Sequence, residues 1–390
     1  MNQKKITIAI LALLFLQMST QGIVPALAVI KENFNYLGYD TIQLLVTIPN
    51  IFLIISSMLV GTLAVYLSQE KIALVGVIIL TISGILPIWM NSFFMIVCMR
   101  ALIGLGSGVI STTTISLISR YYEEETKEKM LGVQSTFICG GGIVFSLLGG
   151  IMAARNWRYA FGVYAIGLVV FFIVASFLPH TLPSRKKASS KNVHISLSVV
   201  GYFVAFFLYG TSYNILLGNL ARFLSEESIG DTASAGLAMS LSMFGGAATG
   251  VLFQWISKMF KGYVLPAGYL LSALGLLLLG TASSLAGVLP GCTLLGVGMS
   301  IIMPAMLSQM TEITRPEQPA FLIGISLAIY NIGSFSSPYI VNSIMNRFEG
   351  YGIQGRFLFG ALLMVLTSVA FIIHKITQSD TAIVKKGVSV

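Results

Sequence analysis

The 390-residue sequence is 56% hydrophobic and 9% charged, with a formal net charge of +9 and a mean hydropathy of +0.88. Soluble domains carry about a quarter charged residues, so a water-soluble globular protein is excluded. The basic surplus stands singly or in short groups between apolar runs, which excludes a basic groove, and no nucleic-acid partner is expected.

A bilayer span needs about 20 largely apolar residues. The first run, 6–30, follows Lys4 and Lys5 and ends in Ala26, Leu27 and Ala28, a pattern that a secretory signal shares. It is longer than the roughly 7–15 apolar residues of a signal core, and similar runs follow it, so it reads as the first span. Five more are predicted at 42–67, 72–90, 93–119, 130–154 and 159–178, then six at 195–221, 232–256, 262–282, 286–311, 319–342 and 357–375. The longest connection, 179–194 (PHTLPSRKKASSKNVH), is basic, Ser-rich and proline-bounded, as a flexible linker is. It divides the chain into two six-helix bundles, 1–178 and 195–375, followed by a tail, 376–390. The fold class is an all-α membrane protein of twelve transmembrane helices.

Alternate connections carry sixteen cations against six on the opposite side: Lys4, Lys5, Lys71, Arg120, Lys127, Lys129, Arg185, Lys186, Lys187, Lys191, Lys258, Lys261, Arg315, Lys375, Lys385 and Lys386. The positive-inside rule then makes both termini and the linker cytoplasmic, in a multi-pass protein of the plasma membrane. Cys98, Cys139 and Cys292 all lie in apolar runs, so no disulfide framework is implied. Nor do the sequence's histidines, His180, His194 and His374, form a metal cluster; no metal or other cofactor is expected.

The halves repeat each other. GTLAVYLSQEK from Gly61 matches GVLFQWISKMFK from Gly250 at an offset of 189. Gly104 and Gly106 match Gly296 and Gly298 at 192, as do Gly132 and Gly141 with Gly324 and Gly333. Such ordered matches indicate a duplicated unit, hence bundles related by a pseudo-two-fold axis.

These motifs resemble those of the major facilitator superfamily over essentially the whole length. GTLAVYLSQEK resembles its loop signature between spans two and three, with Val65 in place of the acidic residue. RALIGLGSG, 100–108, resembles the signature in which a buried arginine precedes a glycine-rich helix. Gly132, Gly141, Gly149 and Gly150 fall at the spacing of the antiporter signature of drug exporters, although Phe145 and Ser146 stand at its Gly-Pro positions and the repeat mate keeps Pro338. NWRYAF, 156–161, resembles the following loop of bacterial drug exporters. The resemblance implies a central cavity between two six-helix bundles, alternating access and efflux.

Arg100 lies about seven residues into span four, roughly 10 Å from its end at ~1.5 Å per residue. An intramembrane cation costs at least about 2.5 kcal/mol on insertion scales, so it must face a partner or a watery cavity. Two readings stand, substrate contact and the tying together of neighbouring helices. Gln17 and Gln21 share one face of span one, and their repeat mates are Tyr209 and Tyr213, followed by Asn214. With Gln134, Tyr330 and Asn331 they are candidate substrate contacts, against inter-helical hydrogen bonding. Small residues at every fourth position (Ser57 and Gly61; Gly104 and Gly108; Gly142, Ser146 and Gly150; Ser242, Gly246 and Gly250) suit close or sliding helix contacts. Pro25, Pro49, Pro87, Pro266, Pro290, Pro304 and Pro338 permit kinks. Every acidic residue falls at a span end or in a loop, which leaves Arg100 as the one buried formal charge.

No phosphate-cradling motif or nucleophile constellation occurs, so a primary pump or enzyme is unsupported. The sequence predicts a monomeric secondary transporter that moves a small amphipathic compound outward, preferring neutral or anionic substrates, with protons as a candidate coupling ion. An organic-anion exchanger or uptake facilitator is the alternative, and a membrane-embedded enzyme or sensor the reading from a different class.

Overall fold

The computed structural model describes residues 3–122, 124–179, 197–313, 319–345, 347 and 352–387. Among them are twelve long helices and no strand: α1 (Gln3–Asn33), α2 (Tyr39–Tyr66), α3 (Gln69–Ile85), α4 (Phe93–Tyr121), α5 (Glu124–Arg155) and α6 (Trp157–Phe177). The second six are α7 (Leu197–Glu226), α8 (Thr232–Phe260), α9 (Val264–Thr281), α10 (Leu285–Ile313), α11 (Pro319–Met345) and α12 (Gln354–Gly387). Helices are what the composition requires, because in lipid every backbone polar group must be satisfied within its own segment. Eleven of the described helices are long and apolar enough to cross a membrane. The predicted spans lie within these helices save for a few end residues, but α5 begins earlier than expected and α12 continues past 375 as helix. The linker predicted at 179–194 falls, from 180 on, outside the described residues.

Two spans are not α-helical throughout. Met18–Ala26 of α1 and Trp157–Ala165 of α6 are 3₁₀ turns. In α1, Pro25 lies inside the 3₁₀ stretch and removes a helical donor; Gln17 and Gln21 both face the middle of the molecule. Pro49, Pro290, Pro304 and Pro338 lie inside helices. Pro87 and Pro266 do not act as mid-helix kinks: Pro87 opens a short 3₁₀ turn after α3, and Pro266 is in the first turn of α9, where its missing N–H has no partner to lose. At α8, Asp231 accepts from the Ser234 backbone N–H at 2.9 Å and its hydroxyl at 2.8 Å. These bonds hold the Asp231 carboxyl below its ordinary range.

Glycines set the helix crossings, and they do so twice. A Cβ on Gly104 of α4 would lie 2.3 Å from the Pro49 carbonyl of α2; on Gly296 of α10, 1.8 Å from the Ser242 carbonyl of α8. Gly106 and Gly298 likewise meet α3 and α9, and Gly141 and Gly333 meet the Phe15 and Phe207 carbonyls of α1 and α7. The same crossing recurs in each half at the repeat offset. Gly108 packs on Ser56 and Leu53 of α2.

Gly142, Ser146 and Gly150 serve a different contact, the one between halves. They pack α5 against α8, where Gly150 meets Thr232 and Gly236, and Gly142 meets Met243. Gly250 departs from expectation: a Cβ there would meet nothing within 4 Å, and the same holds at Gly140 and Gly324. The smallness of these three serves no contact in this conformation. Gly61, the repeat mate of Gly250, lies outside the described side chains.

Gly149→Ala would drive a Cβ to 1.9 Å from the Gly22 carbonyl. Overpacking of this kind costs about 1–3 kcal/mol, so a thermal-stability scan of detergent-purified protein should show a markedly lower Tm, whereas Gly250→Ala should leave it unchanged.

Candidate functional site

At the centre, between the halves, is a cavity of about 170 Å³. Its wall comes from α1 (Gln17, Thr20, Gln21), α2 (Val46, Asn50, Leu53), α4 (Arg100, Ser107), α7 (Tyr213, Leu217) and α11 (Tyr330, Ser334). A larger void of about 410 Å³, with mostly apolar walls, opens on the outer flank of α7 and α12 beside Tyr202 and His374, away from this junction.

Arg100 is 1% exposed. Its Nε donates to the Leu45 carbonyl at 2.5 Å and its Nη1 to the Tyr164 hydroxyl at 2.6 Å. Two of its five donors thus tie α4 to α2 and α6, while the side chain still forms part of the cavity wall. Both readings of the sequence meet in this residue. Among the described residues it is the one charged residue of the wall, and no carboxylate faces it there. Gln21 Oε1 and Ser107 Oγ are buried without a hydrogen-bond partner in the protein.

The other sequence candidates divide. Gln17, Gln21, Tyr213 and Tyr330 line the cavity. Tyr209 does not: it is buried behind the wall, donates to the Met299 carbonyl at 3.3 Å and packs its ring on Tyr330 at 5.3 Å. Asn331 turns away as well, its amide spent on the Leu327 carbonyl of its own helix at 2.7 Å. Asn214 lies one layer back, donating to Ser334 Oγ at 2.8 Å. The side chain of Gln134 lies outside the described residues. Sequence reasoning missed Asn50, Ser107 and Ser334. Ser107 stands inside the quoted motif RALIGLGSG, and Asn50 and Ser334 each adjoin a residue that reads as packing.

Arg100 is not the only buried charge. Arg356 is 9% and Glu70 4% exposed. Both sit at span ends as expected, but neighbouring helices cover them there. Arg356 belongs to a seal at the end opposite the termini. Its Nε donates to Asn342 Oδ1 at 2.8 Å, and Asn342 Nδ2 donates to Asp40 Oδ1 at 2.5 Å, joining α12 and α11 to α2. Gln43 donates to the Gly218 carbonyl and to Asn219 Oδ1, and Arg222, paired with Glu226 at 2.6 Å, stacks 4.7 Å over Tyr39. The halves are therefore held together on that side.

The family model of the Major Facilitator Superfamily matches residues 9–338, and again 202–385. The chain belongs to this superfamily. Quinolone resistance protein NorB of Staphylococcus aureus (strain Newman) is 26% identical over 220 residues, 55% of this chain and 45% of that protein, so the chain spans about half the length of the curated relatives it matches. Among solved structures, the D-xylose–proton symporter is similar with a TM-score of 0.76 at 15% identity, covering 95% of this chain and 97% of that one. A bacterial homologue of the human lysosomal transporter Spinster, inward-facing and occupied, has 0.73 at 16%, covering 95% of each. At these identities the likeness shows the fold alone: two bundles of six membrane-spanning helices.

Asn342→Ala removes the bridge between Asp40 and Arg356. A hydrogen bond to a charged group is worth about 1.5–3 kcal/mol, so a cysteine placed at Leu217 on the cavity wall should be labelled at least about tenfold faster from the side opposite the termini than in the unaltered background. An unchanged labelling rate would mean that the seal does not depend on this bridge.

Proposed function

We propose that the chain is a secondary transporter that exports small amphipathic organic compounds across the plasma membrane by alternating access, with both termini cytoplasmic. The observation that carries this reading is the charge of the cavity wall: Arg100 is its one charged residue among those described. A buried unpaired charge is expensive, so the wall favours neutral or anionic compounds and disfavours lipophilic cations. Gln17, Gln21, Tyr213 and Tyr330 supply the remaining polar and aromatic contacts. A cytoplasmic placement of the termini makes the sealed end the outer one. Export also agrees with the likeness to a quinolone resistance protein.

At about 170 Å³ the cavity is smaller than the roughly 300–1,000 Å³ of drug-sized sites. A compound of that size needs the walls to separate, which the rocking of α5 on α8 along Gly142, Ser146 and Gly150 provides. Gly104, Gly108, Gly141, Gly149 and Gly333 keep each half rigid meanwhile. Of the edge carboxylates that could couple protons, Glu32, Glu226 and Asp231, two draw little support: Glu226 is paired with Arg222, and the hydrogen bonds to Asp231 favour its charged form.

Arg100→Ala is expected to cut transport by about tenfold or more without preventing insertion, the scale of losing a hydrogen bond to a charged group. Arg100→Lys should recover only part, because lysine lacks the forked planar donors. Liposomes bearing the protein give the wider test: uptake of an anionic, a neutral and a cationic compound is compared with and without a pH gradient. The anionic and neutral compounds should be carried better than the cation, and gradient-driven transport of the cation above the others would sink this reading. Exchange against an internal organic anion, with no effect of the gradient, would instead favour the anion-exchanger reading that Arg100 also supports.

A further inference from the structure

The void on the outer flank runs along α7 and α12. It extends from Ser198 and His374, at the end of the spans that carries the termini, to Leu208 and Leu366 near their middle. From Ser198 to Leu208 the helix rises roughly 15 Å at ~1.5 Å per residue, which is half of the ~30 Å hydrocarbon core and so the depth of one leaflet. Its volume of about 410 Å³ spread over that length gives a cross-section of about 27 Å², against roughly 80 Å² for a helix about 10 Å across. One hydrocarbon chain fits there, and a helix does not. The polar groups of the floor are spent inside the protein: the Tyr202 hydroxyl donates to Gln309 Oε1 at 2.6 Å, and the Thr367 hydroxyl to the Leu363 carbonyl at 2.8 Å. What the floor presents is apolar, the Tyr202 ring packed on Phe371 at 5.3 Å together with Val204, Leu208 and Leu366. A Cβ on Gly201 would meet nothing within 4 Å, so the groove stays open there for want of a side chain. The mouth differs from the floor: Ser198 and the exposed His374 line it, Lys375 follows in the chain, and no carboxylate is among the described residues of the lining.

We propose that this groove is a binding site for one anionic phospholipid, with an acyl chain lying along α7 and α12 and the phosphate at Ser198 and His374. An empty groove leaves its lining without contacts, and lipid is what surrounds a membrane-spanning helix on its outer flank. The sign of the headgroup follows from the mouth. Hydroxyl and imidazole groups donate to phosphate oxygens, and basic residues at span ends attract anionic lipid. The site is separate from the central cavity and independent of what is carried there. Yet α7 also supplies Tyr213 and Leu217 to the cavity wall, so the lipid chain lies against a helix that both sites share.

Full-length protein purified in detergent tests this when phosphatidylglycerol or phosphatidylcholine of equal chain length is added and bound lipid is counted by native mass spectrometry. One phosphatidylglycerol per chain should be retained, about tenfold more tightly than phosphatidylcholine, the scale of a hydrogen bond to a charged group. His374→Ala should narrow that preference, and an unchanged preference counts against the placement of the phosphate. Gly201→Leu adds a side chain where a Cβ meets only open space. It should cut phosphatidylglycerol retention by about tenfold or more, the same scale, while the Tm without lipid stays the same or rises. Phosphatidylglycerol bearing a photoreactive group at the end of its tail locates the chain: label should fall on the segments around Leu208 and Leu366, be competed by unlabelled phosphatidylglycerol, and vanish in Gly201→Leu. Even labelling of all the outward-facing helices, undiminished in that variant, would overturn the proposal, as would equal retention of the two lipids. A lipid-free dimer that is lost in Gly201→Leu would assign the groove to a second copy of the chain and overturn it as well.

Discussion

Close backbone contact at glycine is the constraint on which the rest of this structure depends. Lipid tails are as apolar as the helices, so little hydrophobic force drives one helix onto another, and packing must do so. Where Gly104 meets Pro49 and Gly296 meets Ser242, the approach leaves no room for a methyl group. Those crossings fix α4 against α2 and α10 against α8. They thereby fix where Arg100, Asn50 and the facing residues of the second half can stand. The cavity is what remains in the middle once the crossings are made.

Arg100 shows how one side chain answers two demands. Its bonds to Leu45 and Tyr164 tie three helices of the first half together. The same guanidinium gives the cavity its sign. The second half has no equivalent charge in the wall and offers rings instead. Tyr330 packs on Tyr209, Tyr209 lies 6.4 Å from Tyr269, and Tyr269 stacks on Phe371 at 6.0 Å. A compound in the cavity thus has a charged, hydrogen-bonding wall on one side and an aromatic one on the other, which is the division an amphipathic molecule carries within itself.

The helices and their pairing were legible in the sequence because both leave periodic marks. Apolar length records the spans, and Gly104, Gly106, Gly141 and their mates record the crossings at a fixed offset. Arg100 was legible because a lone cation in an apolar run must find a partner or a watery cavity. The repeat misled where it was followed side chain by side chain: Tyr209 and Tyr213 share a helical face, yet only Tyr213 reaches the cavity, and Tyr209 is turned into the ring stack. Asn331 differs for a local reason, since its amide bonds back to its own helix. Asn50, Ser334, Asn342 and Gln43 left no mark, because a single small polar residue in an apolar helix looks the same whether it faces a neighbour, a cavity or nothing. Only the fold brings α2 beside α11, and the sequence holds no pattern linking positions nearly 300 residues apart.

The seal opposite the termini is made differently from the interior of each half. Asp40, Asn342, Arg356, Gln43 and Asn219 hold it with hydrogen bonds, whereas the crossings within a half are backbone surfaces in direct contact. Water can stand in for a hydrogen bond at little loss as the seal parts, but it cannot replace the dense packing between two helices. Opening that end therefore disturbs mainly interactions for which solvent offers a substitute, the stack of Arg222 on Tyr39 being the exception. Were this end to open and close, the change would fall on bonds that re-form, and the folded interior of each bundle would not have to break.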